Sequence, residues 1–338
     1  MENNELMHAM RSAIDTGLRS FIDKKMQDVP ENFKEMIRYQ LGWSGVPHES
    51  LATGKRIRPT LVLLVCHALG GDWRQALAAA AGVELLHNFT LIHDDIQDRS
   101  LTRRGRDAVW VKWGEAQAIN AGDALYALAC SAVYDLTAHY PADVVLAAVE
   151  ELHRTAFRLT CGQYLDMAFE KAEAIEMEDY WQMIRGKTGE LIGSCFSLGA
   201  LLAGQKANEL RRFRKLGLQI GIAFQVQDDW LGIWGNQDIL GKSVQSDLRD
   251  RKKTFPILLA LKTLPEFREY WSSHSSFSDA DIQVLMKILD GSQINEKAQE
   301  QFEDLYQSVV LKFNEIFEGK STALQLRSAV EELFVRSR

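Results

Sequence analysis

Proline and cysteine are both scarce in this chain, six and four among 338 residues. Cys66, Cys130, Cys161 and Cys195 stand far apart, with neither a CxxC pair nor metal-ligand spacing. That pattern argues against a disulfide scaffold or a zinc centre and predicts buried core thiols in a reducing compartment. Long apolar runs are missing too: the segments 61–69 and 198–203 fall far short of the roughly 20 residues that cross a bilayer. The opening MENNELMHAM has no basic stretch followed by an apolar one, so a signal peptide is not expected and a soluble cytoplasmic protein is. Positive charge is in deficit, 39 Lys and Arg against 46 Asp and Glu, for a net charge of −7. Nucleic acid is therefore not an expected partner, because backbone phosphates are held by basic surface. A local basic cluster can still hold a small phosphorylated ligand within an acidic protein. Convincing period-two strands are absent, and with them any Asn-Gly or Asp-Gly hairpin signal.

What the chain has instead is the helical period almost throughout. In 76–98 the apolar residues Val83, Leu86, Phe89, Ile92 and Ile96 recur at steps of three or four, as on one helix face. The same spacing runs through 116–136, 144–159, 190–202, 210–233 and 254–261, and Ala- and Leu-rich composition favours helix in each. The prediction is all-α. Breaks at 42–47, 70–71, 140–141, 204–205, 235–246 and 272–278 include no long linker and no fixed-period repeat. One domain spanning 1–338 is expected, with 1–40 as an N-terminal helical scaffold and further helices from 281 onward.

Two aspartate clusters interrupt these apolar helices: Asp94-Asp95-Ile96-Gln97-Asp98 and Asp228-Asp229-Trp230-Leu231-Gly232. Asp94 and Asp98 are four apart and share a helix face, with Asp95 beside them; like charges so placed cost roughly 0.2–0.5 kcal/mol per pair even in water. Burial sharpens the repulsion unless a cation is present. A short acidic string by itself is an ordinary solvated helix end. The second cluster changes that reading, because Gln225, Asp228, Asp229 and Gly232, spaced three, four and seven, line one face of a second helix. Carboxylates projecting from two facing helices form a metal site of the kind found in bundle cores. The donors are all oxygen, which suits Mg²⁺ rather than zinc or copper. Arg103 and Arg104 follow the first cluster, Lys242 and Lys252 the second, and Gly54-Lys55-Arg56-Ile57-Arg58-Pro59 lies upstream. Metal-binding carboxylates with cations set back from them point to a polyphosphate ligand.

These residues, together with Glu84–His87, Gly105, Gly162-Gln163, Asp166, Lys187-Thr188, Phe224–Gln227 and Gly241 through Thr254, occur in an order that resembles the trans-isoprenyl diphosphate synthase (polyprenyl synthetase) family. The resemblance covers the chain from about residue 40 onward. It implies an isoprenoid-synthase-type helical bundle with a central tunnel, a homodimer, and three Mg²⁺ ions with substrate bound. By resemblance, Lys55, Arg58, His87 and Arg104 hold isopentenyl diphosphate. Asp94, Asp98 and Asp228 ligate Mg²⁺, and Arg103, Lys187, Gln225, Lys242 and Lys252 bind the allylic diphosphate. Lys187, Thr188 and Gln225 are the implied catalytic residues, with Thr188 and Gln225 near the developing carbocation. Arg106, Arg336 and Arg338 are read as solvated charges.

The implied reaction is ionisation, condensation and elimination, with the proton leaving to pyrophosphate. One position departs from the family: its second motif usually ends in an aspartate, and here that residue is Gly232. In the family an aromatic residue five before the first aspartate floors the tunnel, so Phe89, with the small Thr90 beside it, is the expected chain-length stop and Tyr126 the second candidate. That pattern resembles synthases of the C20 product, geranylgeranyl diphosphate; the C15 farnesyl product is the alternative. A terpene cyclase would not need the isopentenyl site, a non-catalytic partner subunit would be expected to lose first-cluster aspartates, and a helical phosphohydrolase would need a second His-Asp pair.

Overall fold

Alternation of apolar and polar residues at helical spacing produces helices nearly everywhere in the computed structural model, which describes residues 2–44, 56–235 and 245–334. In chain order these are α1 (Glu2–Lys25), α2 (Glu31–Gln40), α3 (Ile57–Ala68), α4 (Leu77–Gln97), α5 (Val109–Trp113), α6 (Glu115–Tyr134), α7 (Ala142–Lys171), α8 (Met177–Ile184), α9 (Glu190–Leu202) and α10 (Ala207–Trp234). After them come α11 (Ser246–Arg249), α12 (Phe255–Thr263), α13 (Pro265–Ser273), α14 (Asp279–Asp290), α15 (Ile294–Phe317) and α16 (Leu324–Phe334). The expected all-α fold is what forms. One exception is a short antiparallel hairpin, Thr102–Arg103 paired with Arg106–Asp107, which the sequence reading did not foresee.

The chain divides into two compact units. The first comprises Met1–Ala156, Ser194–Arg214 and Gly319–Leu326. Its centre is α3 and α4. Leu61 through Cys66 are all fully buried, so α3 is apolar on every side, as a core helix must be. On α4, Ala79, Ala80, Val83, Leu85 and Leu86 are also fully buried. Each large aliphatic side chain removed from water contributes about 1.5–3 kcal/mol, and the small Ala residues let neighbouring helices approach. A charged knot lies at the start of α3. Arg56, in a left-handed conformation with φ 47°, donates to Asp15 at 3.0 Å, Glu84 at 2.5 Å and the Leu41 carbonyl at 2.9 Å. A buried arginine requires partners of this kind, and breaking such a set costs several kcal/mol.

The second unit comprises Phe157–Gly193, Lys215–Glu318 and Arg327–Arg338. One cluster of its core joins Tyr180, Met183 and Ile184 to Val226, Phe255, Leu258 and Ala298. Another gathers Ile257, Phe267, Trp271, Ile282, Leu285 and Leu289. Between α8 and α9 the helix widens into one π-helical turn, Arg185–Gly189. The cysteine expectation holds in part. Cys66 and Cys195 are buried, and burial pushes both thiols up to about 12, while Cys130 and Cys161 are only half-buried.

Candidate active site

In the first unit, the last turn of α4 separates its aspartates. Asp94 and Asp98 are half-buried on the shared face. Asp95 is fully buried and turned toward Arg103, whose Nε donates to Oδ1 at 2.9 Å and to Oδ2 at 3.2 Å, with Nη2 also on Oδ1. Arg103 Nη2 lies a further 3.6 Å from Asp94 Oδ2. Burial raises the Asp95 carboxyl, and the Arg103 hydrogen bonds oppose that rise. Arg103, expected to reach the allylic diphosphate directly, is thus anchored by the middle aspartate.

Arg103 and Arg104 are presented by the hairpin. Its two central residues, Arg104 and Gly105, have φ 54° and 73°, the requirement of a type I′ turn. Glycine takes that conformation at no steric cost; for Arg104 it costs about 1–2 kcal/mol. Arg106 corrects the reading of a solvated charge. Its guanidinium donates to the carbonyls of Ser44 at 2.9 Å and Tyr39 at 2.8 Å and lies 4.2 Å over the Tyr39 ring. It ties the hairpin to the end of α2. Arg104 is pulled down to about 10, by burial first and by Arg56 and Arg103 as well, with Glu84 opposing; it stays protonated at neutral pH.

His87, two turns before Asp94, lies with its Nε2 3.2 Å from Arg58 Nη1. An arginine can only donate, so Nε2 accepts and the imidazole is neutral, its proton on Nδ1. Burial, together with Arg58, Arg104, Arg103 and Arg56, holds the His87 pKa well below its ordinary value. His87 therefore orients Arg58. Lys55 lies outside the described residues. Phe89 is half-buried; its ring is 4.8 Å from His93 and 5.4 Å from Tyr126, the second length candidate. The Thr90 hydroxyl donates back to the His87 carbonyl at 2.8 Å.

In the second unit the same division recurs on α10. Asp228 is half-buried and Asp229 buried. Asp229 Oδ1 accepts from Gln225 Nε2 at 2.8 Å; Oδ2 accepts from the Tyr180 hydroxyl at 2.7 Å and the Phe255 amide at 3.2 Å. Burial and Asp247 push the Asp229 carboxyl up to about 7 against these three hydrogen bonds. The other end of Gln225, its Oε1, accepts from the Thr188 hydroxyl at 2.6 Å. Sequence spacing placed Asp228 and Asp229 on one face; the structure sends Asp229 into the core instead.

Thr188 and Lys187 sit in the π turn, where glycines permit the close approach of α7. A Cβ on Gly162 would lie 2.5 Å from the Gly186 carbonyl carbon and 2.8 Å from its Cα, and closer still to the Lys187 nitrogen. Lys187 Nζ is 2.5 Å from Asp166 Oδ2 on α7. Lys252 is half-buried with its amide donating to the Asp247 carbonyl at 2.9 Å; Lys242 lies outside the described residues. At Gly232, a Cβ would meet Asp247 Oδ2 at 2.5 Å. The absent aspartate side chain therefore leaves room that a neighbouring carboxylate occupies. Tyr180, Asp247 and Arg106 went unassigned or misread in the sequence because their partners are distant along the chain.

The donor chemistry fits Mg²⁺. Asp94 and Asp98 offer hard carboxylate oxygens one turn apart, and the ion commonly takes one or two protein carboxylates, with substrate phosphates and water completing its shell. Among the described residues no group of three or more His, Cys, Asp or Glu side chains is arranged as a ready-made metal cage.

The sequence model of the family described as polyprenyl synthetase matches residues 45–290. The geranylgeranyl diphosphate synthase of Mycobacterium tuberculosis (strain ATCC 25618 / H37Rv) is 34% identical over 285 residues, which cover 82% of this chain and 81% of that protein. The (2E,6E)-farnesyl diphosphate synthase of Mycobacterium bovis is 42% identical over 229 residues, 67% of this chain and 62% of that protein. Among solved structures, a polyprenyl synthetase from Streptomyces coelicolor A3(2) superposes with a TM-score of 0.86 at 28% identity, covering 98% of this chain and 99% of that one.

Proposed function

The chain belongs to the polyprenyl synthetase family and is a trans-prenyltransferase, and from that premise we propose that it joins isopentenyl diphosphate to an allylic diphosphate to make geranylgeranyl diphosphate. The carrying observation is that one helix carries half-buried Asp94 and Asp98, the Asp95 that anchors Arg103, and the His87 that holds Arg58.

In this reading Arg58 and Arg104, with Lys55, hold isopentenyl diphosphate. Guanidinium forks match phosphate oxygens, and a neutral His87 keeps Arg58 aimed without adding a charge. Arg103, Lys187, Lys242 and Lys252 take the allylic diphosphate; Lys187 leaves Asp166 to do so. Asp94, Asp98 and Asp228 would hold Mg²⁺, three ions with substrate present, and Gly232 contributes no ligand. Bound Mg²⁺ supplies Lewis-acid stabilisation of the leaving diphosphate. Thr188 and Gln225 face the allylic carbon as positive charge develops, and fixed dipoles at that point lower the barrier. Apolar walls exclude the water that would otherwise trap the cation. The condensation proton leaves with pyrophosphate, so the chain needs no dedicated base.

Product length rests on Phe89, held between His93 and Tyr126. The C20 product is favoured by the name of the relative matched over the larger share of both chains; the C15 product is the second reading, favoured by the M. bovis relative. We further infer that 1–338 works as one domain and pairs as a homodimer. Exposed Tyr134 on α6 and Leu146 on α7 support the pairing, and light scattering in solution tests it. Among the described residues no helix is long and apolar enough to cross a membrane, and a cytoplasmic location fits the composition. The deciding experiment incubates the protein with labelled isopentenyl diphosphate, Mg²⁺ and C5, C10 or C15 allylic diphosphate, then chromatographs the products. C20 chains are expected; a C15 end-point would replace the product assignment, and no chain growth from any primer would refute the reading.

A further inference from the structure

The hydrogen bonds around Asp229 have a direction, and the direction determines what Thr188 offers to a substrate. Three donors converge on the two Asp229 oxygens: the Tyr180 hydroxyl, the Phe255 amide and Gln225 Nε2. The Phe255 amide belongs to the first turn of α12, one of the N–H groups that a helix leaves unpaired. As a carboxylate, Asp229 is thus surrounded as an acceptor, and Gln225 then turns its NH₂ toward it. An amide has one donor end and one acceptor end, so its Oε1 necessarily faces Thr188. The Thr188 hydroxyl then has to donate, as the 2.6 Å contact to Oε1 records. With its single proton committed, the Thr188 oxygen can only accept from, or present lone pairs to, whatever lies beyond it.

We propose that Asp229 is a positioning residue that fixes the polarity of Gln225 and Thr188, so that Thr188 turns an oxygen lone pair rather than a proton toward the carbocation. This rests on the reading of Thr188 as a neighbour of the ionising allylic carbon. The arrangement suits a cationic transition state, because a preset dipole need not reorganise as charge appears. It also gives the two carboxylates separate roles, since Asp228 is directed at metal while Asp229 has both oxygens engaged by protein donors. Without Asp229 the amide can turn over, and Thr188 can direct its proton at the cation or fold it back onto its own helix, as threonines commonly do.

Asp229→Asn keeps the shape of the side chain and removes its acceptor-only character. The expected result is a kcat lowered roughly 10- to 100-fold, the range set by losing one or two oriented dipoles. KM values for both diphosphates and the half-saturating Mg²⁺ concentration should stay within about twofold of wild type. In a Thr188→Val background, which has no hydroxyl to orient, the same substitution should cost less than about threefold, since coupled residues are not additive. Tyr180→Phe, which removes one of the three donors and creates no void, should show the same pattern at smaller amplitude and carries the test if Asp229→Asn fails to fold. The proposal is overturned if kcat is unchanged, if the Mg²⁺ requirement rises instead, or if the losses from Asp229 and Thr188 multiply. Wild-type enzyme that extends no primer would refute the underlying function; wild-type activity with these variant outcomes refutes only the positioning role.

Discussion

Replacing Gly162 by alanine tests how closely the π turn is set. The new Cβ would stand 2.5 Å from the Gly186 carbonyl carbon and closer still to the Lys187 nitrogen, and ordinary contact begins at 3.4 Å, so α7 and the turn must part by more than about 0.9 Å. The opposing atoms are backbone and cannot rotate aside. Overpacking of this kind costs about 1–3 kcal/mol. At about 2.1 cal/mol/K of unfolding entropy per residue, that lowers Tm by only about 1.5–4 °C in a chain of this size. On the proposed roles of Lys187 and Thr188, both carried by the turn, the catalytic effect is larger. Misplacement by about 1 Å costs on the order of 100-fold in rate. Gly162→Ala should therefore fold, melt a few degrees early by circular dichroism, and lose about two orders of magnitude in kcat in labelled isopentenyl incorporation. Gly17→Ala is the control: no atom lies within 4 Å of its Cβ, and a helical alanine adds about 0.5–1 kcal/mol of stability with no change in rate. Wild-type kcat in Gly162→Ala would refute the argument that the glycine sets the turn.

Phe89→Ala should shift products beyond the wild-type length, and Phe89→Ala with Tyr126→Ala further still; an unchanged chromatogram would place the floor elsewhere. Gly232→Asp restores the residue usual in the family, yet its Cβ would meet Asp247 Oδ2 at 2.5 Å. It should destabilise the protein by about 1–3 kcal/mol without lowering the Mg²⁺ requirement, and a tighter metal response in titration would contradict the packing. His87 gives a pH signature. Its folded pKa lies below that of the unfolded chain, about 6.5, so the unfolded state binds the proton first as pH falls. Above about 6.5 His87 adds no pH dependence; below it, wild type loses up to about 1.4 kcal/mol per pH unit relative to His87→Gln in urea melts. Parallel stability curves from pH 7 to 5 would show that His87 is freely protonated in the fold.

Much of the architecture was legible because burial imposes a period on the sequence. The expected helix at 76–98 is observed as Leu77–Gln97, and the one at 190–202 ends at the same residues. Where no period exists the reading failed. The hairpin pairs only Arg103 with Arg106 and Thr102 with Asp107, too short for alternation to register. Its one local signal was the glycine of Arg104-Gly105. The π turn inserts a single residue into an otherwise continuous helix, which five residues cannot reveal by spacing; Gly186 beside Lys187 was the only trace. Arg106 looked like any surface arginine because Tyr39, which it covers, is 67 positions away. Asp229 had the same difficulty, with Tyr180 at a separation of 49.

The two aspartate clusters obey one geometric rule. Successive residues on an α-helix point about 100° apart, so two adjacent carboxylates cannot address the same ion from the same face. In each Asp-Asp pair the first member stays half-exposed and the second is buried against a partner to which the proposed function gives a substrate role: Asp95 against Arg103, Asp229 against Gln225. Burying a carboxylate unpaired would cost several kcal/mol, and here Arg103 and Gln225 are among the partners that make burial tolerable. On the proposed function, the doubled aspartate is one carboxylate left for metal plus one anchor rather than two equal ligands. That division also explains how the second cluster can end in Gly232 without losing its anchor: Asp229 makes its hydrogen bonds to Gln225, Tyr180 and Phe255, none of which depends on a side chain at position 232.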